Sequence, residues 1–276
     1  MIASVLGPRR GPEREEPMSE LITLEYDGPV AVMSNNRPDK HNAANDAMDQ
    51  RLFACLKELQ ERDGVRAVVW RGNGKSFSSG RDTSELGVRT EDITDFDFIE
   101  RGHAGTRLFF GLPCPVVVAL KGWVIGGSFE RALLCDMRIA AESARMMLPE
   151  IGHGVVPDSG GTARLFQMAG HGLAADLALT GRPMAAEEAL RHGVVSRVVP
   201  DDELDDTVLE VAHTIAKAPP FTVRMFRRTL DRLATPLVDR SMQEESVAQT
   251  MVFASEDYAE MKKARAEGRE PTYRGR

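Results

Sequence analysis

Alternation opens the folded part of the chain. Residues 21–26 (Leu-Ile-Thr-Leu-Glu-Tyr) alternate in polarity, Asp27 and Gly28 supply a turn, and 30–33 (Val-Ala-Val-Met) return, which predicts a β-hairpin. Met48, Leu52, Leu56 and Leu59 then recur at helical spacing, predicting an amphipathic helix over 45–62. The run Ala-Val-Val-Trp at 67–70, bounded by Gly64 and Gly72, is too short and too apolar for anything but a buried strand, and 116–120 has the same character. Gly126 and Gly127 remove every side chain just before a helix carrying Phe129, Leu133 and Leu134. Further on, 163–168 and 174–180 read as helices broken at Gly170 and Gly172. Residues 181–185 start another helix, and 193–199 return as a short strand. The chain closes with amphipathic stretches at 204–218, 220–233 and 238–253. Strand–helix–strand order of this kind implies a right-handed parallel α/β arrangement, not a sandwich.

Composition narrows the picture modestly. At 276 residues the chain suits one sizeable α/β domain or a core with an appendage. Its net charge of -7 argues against a general nucleic-acid binder. Cys55, Cys114 and Cys135 have neither CxxC spacing nor a histidine cluster beside them, so neither a zinc site nor a disulfide framework is expected. The cytoplasm is the expected compartment, because no apolar run approaches the roughly 20 residues of a membrane span and the first residues lack a signal-peptide centre. Residues 1–17, rich in Pro, Gly and charge, are expected to be a flexible extension, with Met18 an alternative start.

Candidate chemistry gathers at the Gly126-Gly127 turn. The first N–H groups of a helix have no partner within it and carry the positive end of its dipole, so Gly127 can hold an anion or a developing oxyanion. Glu130 follows three residues later, within reach of a carbonyl held at that turn. The alternative is that the glycines permit close packing and Glu130 is a solvated first-turn acid. A second small-residue loop at 72–82 offers another amide at Arg81, or else only turn chemistry.

Five blocks carry a resemblance: Asn-Arg-Pro at 36–38, Phe-Ser-Ser-Gly-Arg-Asp at 77–82, the stretch 122–136, Pro-Glu-Ile at 149–151 and Gly-Gly-Thr at 160–162. Their order and approximate spacing, across about residues 20–260, are similar to the crotonase superfamily, and the chain resembles an enoyl-CoA hydratase. The resemblance implies an α/β spiral of repeated ββα units at 18–200 and a helical C-terminal trimerisation region at 201–276. It also implies an acyl-CoA thioester substrate, no separate cofactor, and a homotrimer or dimer of trimers. The amides of Arg81 and Gly127 match the family's two oxyanion-hole positions, and Glu130 and Glu150 match its two catalytic glutamates. Of these, Glu130 is assigned to activating water and Glu150 to donating the proton. Gly80, Asp82, Gly126 and Lys40 are further substrate-binding candidates, and His41, Lys262, Lys263, Arg265 and Arg269 are weighed as contacts to the nucleotide end of coenzyme A. Met261 and Arg265 depart from the glycine and aromatic that the family carries there.

Asp158 is the departure with chemical content, because typical hydratases resemble 155–161 but have glycine at that position. It lies eight residues after Glu150, as does one catalytic acid of the dienoyl-CoA isomerases. Either Asp158 is a third acid or it caps the helix that follows. Three functions are therefore carried forward: hydration of a trans-2-enoyl-CoA, double-bond isomerisation using Asp158, and non-catalytic acyl-CoA binding. His153 is weighed as a loop histidine beside these acids and kept off the catalytic set. Residues 86–100 stand where the family shapes its acyl pocket, and they give no reading of the acyl group.

Overall fold

The computed structural model describes residues 18–85 and 92–276. The expected extension at 1–17 and part of the 86–100 segment lie outside the described residues. A short helix α1 (Met18–Leu21) leads into β1 (Ile22–Asp27) and β2 (Val30–Asn35), the expected antiparallel hairpin, in register from Ile22 opposite Asn35 to Asp27 opposite Val30. Helix α2 (Asp46–Glu61) is capped by the Asn45 side chain, which accepts the Met48 N–H. It buries Met48, Leu52, Cys55, Leu56 and Leu59, the stripe its spacing predicts. Strand β3 (Ala67–Gly72), helix α3 (Asp95–Arg107) and strand β4 (Val116–Leu120) follow.

From here the chain repeats a strand, a second strand and a helix: β4, β5 (Trp123–Ile125) and α4 (Gly127–Leu134), then β6 (Met137–Ala141), β7 (Arg145–Met147) and α5 (Gly161–Thr180). The first strand of each unit joins a six-stranded sheet ordered β1-β2-β3-β4-β6-β9, parallel after the hairpin. The second joins a small sheet ordered β5-β7-β8. Here β8 is Met184–Ala185, α6 is Ala186–Arg191 and β9 is Arg197–Val199. This is the expected spiral of ββα units.

Both faces of the large sheet are covered, so its central strands read as continuous apolar runs instead of alternating ones. On one side Val30, Val32, Val69, Val117 and Ile139 meet Leu204, Val208, Val211 and Ala212 of α7 (Leu204–Lys217). Each fully buried Leu or Val of this kind contributes about 1.5–3 kcal/mol. The main core lies on the other side, among α2, α4 and α5. The expected boundary at 200/201 therefore falls just before a helix that packs back on the sheet.

Three differences from the sequence reading have physical causes. Residues 181–185 lead into β8 and do not start a helix, because Pro183 fixes an extended path and Met184 pairs with Met146 of β7; the helix begins at Ala186. The stretches 220–233 and 238–253 are one helix, α8 (Pro220–Phe253), which runs through Pro236 at the cost of one backbone hydrogen bond. Helix α5 departs from helical geometry at Gly170 alone, while Gly172 stays within it. Helix α9 (Glu256–Glu267), capped by Ser255, ends the described elements. None of the described helices is long and apolar enough to cross a membrane.

Candidate active site

Arg81 and Gly127, two turn residues whose N–H groups find no acceptor among the described residues, line one cavity where the second sheet meets α4. Gly126 sits at φ 61°, ψ −139°, a region open in practice only to glycine, and a methyl group there would lie 2.9 Å from Glu150 Oε1. That sharp turn leaves Gly127 as the first residue of α4, with an N–H that finds no acceptor among the described residues. Arg81 is oriented by its neighbours. The Ala44 N–H donates to Gly80 O (2.7 Å) and the Asp82 N–H donates to Ala44 O (2.8 Å), so the Arg81 N–H between them points away from Ala44. The same segment is tied to β5 by Ser78 N–H to Trp123 O and Ile125 N–H to Ser78 O, both 3.0 Å. Arg81 and Gly127 line one cavity of about 290 Å³.

Glu150 lines the same cavity beside the Gly126 turn, at the head of a 3-10 turn, Glu150–His153. Its Oε2 is buried with no hydrogen-bond partner among the described residues. Burial pushes its carboxyl up from 4.5 to about 7, and the charge of Asp158 adds to the rise. A buried acceptor without a donor is costly unless something arrives to bond it.

Glu130 is not a solvated first-turn acid: only 1% of it is exposed, and it lies behind the cavity wall. Its Oε1 accepts the Asp158 N–H (3.2 Å), and its Oε2 accepts those of Ser159 (3.2 Å) and Gly161 (3.0 Å). Burial raises its pKa well above 4.5, reinforced by Glu245, Glu150 and Asp158 and opposed by the Ser159 amide. Asp158 lines the cavity. It is not the cap of α5, whose cap position is Gly160 without a side-chain bond; the amides there go to Glu130 and, from Gly160, to Glu245 Oε2 at 2.9 Å. That corrects the capping alternative.

The remaining candidates have other surroundings. Gly80, at φ +83°, precedes Arg81 and backs onto Ile125, much as Gly126 precedes Gly127 and backs onto Glu150. Asp82 pairs with Arg37 at 3.3 Å and accepts from Ser84, holding its own loop. Lys40 is exposed in the 3-10 turn Pro38–Lys40, away from the cavity lining, and His41 bonds Ser76. In α9, Arg265 donates to His153, Lys262 lies over the Tyr258 ring and Met261 packs against Gly154; just past it, Arg269 is paired with Glu260 and Glu267. Sequence reasoning missed His103 and Glu245, both buried beside Asp158 and Gly160. It also missed Arg131, which is paired with Asp49 at 2.5 Å on the cavity wall.

Known proteins resemble the chain over most of its length. A family model described as enoyl-CoA hydratase/isomerase matches residues 25–276. A short-chain-enoyl-CoA hydratase of Clostridium acetobutylicum is 35% identical over 86% of this chain and 90% of its own. A carnitinyl-CoA dehydratase of Salmonella enteritidis is 34% identical over 94% of this chain and 100% of its own. Among solved structures, an enoyl-CoA hydratase/isomerase from Pseudoalteromonas atlantica superimposes with a TM-score of 0.84 at 30% identity, covering 92% of this chain and all of the other. The spiral, the paired turns and these relatives together place the chain in the enoyl-CoA hydratase/isomerase family, within the crotonase superfamily.

Proposed function

We propose that this protein hydrates a trans-2-enoyl-CoA thioester to the 3-hydroxyacyl-CoA. The observation that carries the reading is the unpartnered Glu150 Oε2, buried in one cavity with the outward N–H groups of Arg81 and Gly127. Addition of water to a conjugated thioester builds negative charge on the thioester oxygen. Two fixed amides stabilise that enolate more than they stabilise the ground state. Coenzyme A enters as part of the substrate, and no separate cofactor takes part.

Glu130, whose oxygens are acceptors for three amides, takes the proton of a water held at the wall formed by Gly127, Ser128, Asp158 and Ser159. The hydroxide equivalent adds at Cβ, and Glu150 gives its proton to Cα. A carboxyl near 7 suits that role, because proton donors work best when their pKa lies near the working pH. The two acids titrate as a pair. By microscopic reversibility the same groups dehydrate a 3-hydroxyacyl-CoA, the direction in the name of the Salmonella relative.

Asp158 supports a second reading. It lines the cavity, and its charge raises Glu150, an arrangement suited to moving a proton along an acyl chain without adding water. A panel of 2-enoyl-, 3-enoyl- and dienoyl-CoA thioesters separates the two by product mass. A product heavier by one water supports hydration, and an isomer of unchanged mass supports the second reading. An unaltered panel returns the protein to acyl-CoA binding without catalysis.

A further inference from the structure

Behind Glu130 lies a buried set of charged groups that the proposed reaction does not use. His103 of α3 is fully buried, and its Nε2 is 2.7 Å from the Asp158 backbone oxygen and 3.7 Å from Glu245 Oε2 of α8. A carbonyl only accepts, so Nε2 carries a proton. On the other side of the ring, Nδ1 is 3.2 Å from Ser246 Oγ and 3.6 Å from Glu100 Oε1. Ser246 has a single hydroxyl proton, and its two acceptors, Glu100 Oε1 at 2.5 Å and Met242 O at 3.0 Å, compete for it. Nδ1 therefore donates to Oγ, and the ring carries both protons.

Burial alone would pull such an imidazole down. The Glu245 contact, the Asp158 carbonyl and the charges of both acids outweigh it and hold the group above the ordinary histidine value. Glu245 is itself fixed, with Oε1 accepting from Ser241 (2.7 Å) and Oε2 accepting the Gly160 N–H (2.9 Å). The four amides at 158–161 are thus divided, three to Glu130 and one to Glu245, while the carbonyl of Asp158 is bonded to His103.

We propose that His103, as a buried imidazolium held against Glu245 and the Asp158 carbonyl, is a positioning residue for Glu130. It fixes the 158–161 turn whose amides bind the Glu130 carboxyl, and so sets how tightly that group holds its proton. The assignment of a task to Glu130 rests on the hydratase reading, but the electrostatic claim does not. The charged groups facing this set are Glu100 from α3, Glu245 from α8, Asp158 from the turn, Glu150 from the 3-10 turn and Arg131 from α4. Loss of the imidazolium removes a cation from among carboxylates and loosens three amide donors, and both changes make Glu130 easier to protonate. Loss of the Glu245 charge acts in the opposite sense, because Glu245 repels the ionised Glu130 directly.

Carbon NMR of δ-13C-glutamate-labelled protein, with the Glu130 resonance identified by its absence in Glu130→Gln, reads this without any assay of activity. In His103→Gln the Glu130 titration is expected to move up in pH by at least threefold in acid constant, and in Glu245→Gln to move down by a similar factor. Nitrogen NMR of the histidine side chains is expected to show both His103 ring nitrogens protonated at pH 7. Where the unmodified protein hydrates an enoyl-CoA, His103→Gln lowers kcat about tenfold or more with KM within about twofold, and the limb of the rate profile governed by Glu130 shifts with the NMR titration. A neutral His103 ring at pH 7 overturns the proposal. So does a Glu130 titration that stays in place, or moves the same way, in both variants. Should His103→Gln fail to fold, the Glu245→Gln titration and the wild-type ring protonation decide alone.

Discussion

Glu150 and Glu130 reach the same protonation problem by different routes, and single substitutions separate them. Glu150 presents an unpartnered oxygen to the cavity, while Glu130 has every oxygen engaged by amides behind it. Glu150→Gln and Glu130→Gln should each lose about a hundredfold or more in turnover of a trans-2-enoyl-CoA, the usual loss for an acid–base group, with KM little changed. Steady-state kinetics checks this. Asp158→Asn should leave hydration within about tenfold, some ~1.4 kcal/mol of barrier, and should abolish any double-bond shift. Stability carries a second signature of Glu150. Its folded pKa of about 7 lies above its ordinary 4.5, so the stability it contributes is present below 4.5 and is lost as pH rises through 7. Glu130 is displaced in the same direction. Melting temperature should therefore fall between pH 5 and 8 in the parent, and fall less steeply in Glu150→Gln. At this scale the motifs made Gly127, Arg81 and Glu150 legible, because turn glycines and an acid after proline are local patterns. His103 and Glu245 were not legible. They lie far apart in the chain, carry no motif, and meet only because α3 and α8 pack together around the 158–161 turn.

The elements are held by a few glycines whose roles differ. Gly126 combines a backbone region closed to side chains with contact to Glu150, so Gly126→Ala should cost about 1–3 kcal/mol and displace the Glu150 carboxyl. Gly161 lets α5 start directly against α4, since a methyl there would fall 2.4 Å from Glu130 Cα, and Gly161→Ala should destabilise by about 1–3 kcal/mol through overpacking. Gly172 is helical with open space around it, and Gly172→Ala should stabilise by about 0.5–1 kcal/mol. Thermal melts of the three variants test the contrast, including its change of sign. The hairpin, α2, β3 and β4 were readable because their apolar patterns are undiluted, whereas the short β5 and β6 were not. Helix α3 was not, because its N-terminal half is acidic and its buried side includes His103, Gly105 and Thr106 in place of an apolar stripe. Its signal was the cap, Thr94 with Asp97 three residues on. Helix α8 shows the opposite case, running through Pro236 because one lost hydrogen bond does not outweigh the packing of a 34-residue helix.

At the scale of the molecule, α8 leaves Phe226, Leu230, Leu233 and Leu237 exposed at helical spacing, beyond what a soluble monomer needs. Burial of that stripe between copies is expected to give a trimer or a dimer of trimers, measurable by light scattering at micromolar protein. A monomer at that concentration would contradict it. The central claim concerns the reaction itself, and it is tested most directly by isotope. The protein is incubated with a trans-2-enoyl-CoA in 18O-labelled water, and the product is analysed by mass spectrometry. The account predicts one labelled oxygen at Cβ of a 3-hydroxyacyl-CoA, formed at a rate that falls about a hundredfold or more in Glu150→Gln. Turnover without label in the product, or labelling that survives Glu150→Gln at the parent rate, would contradict it.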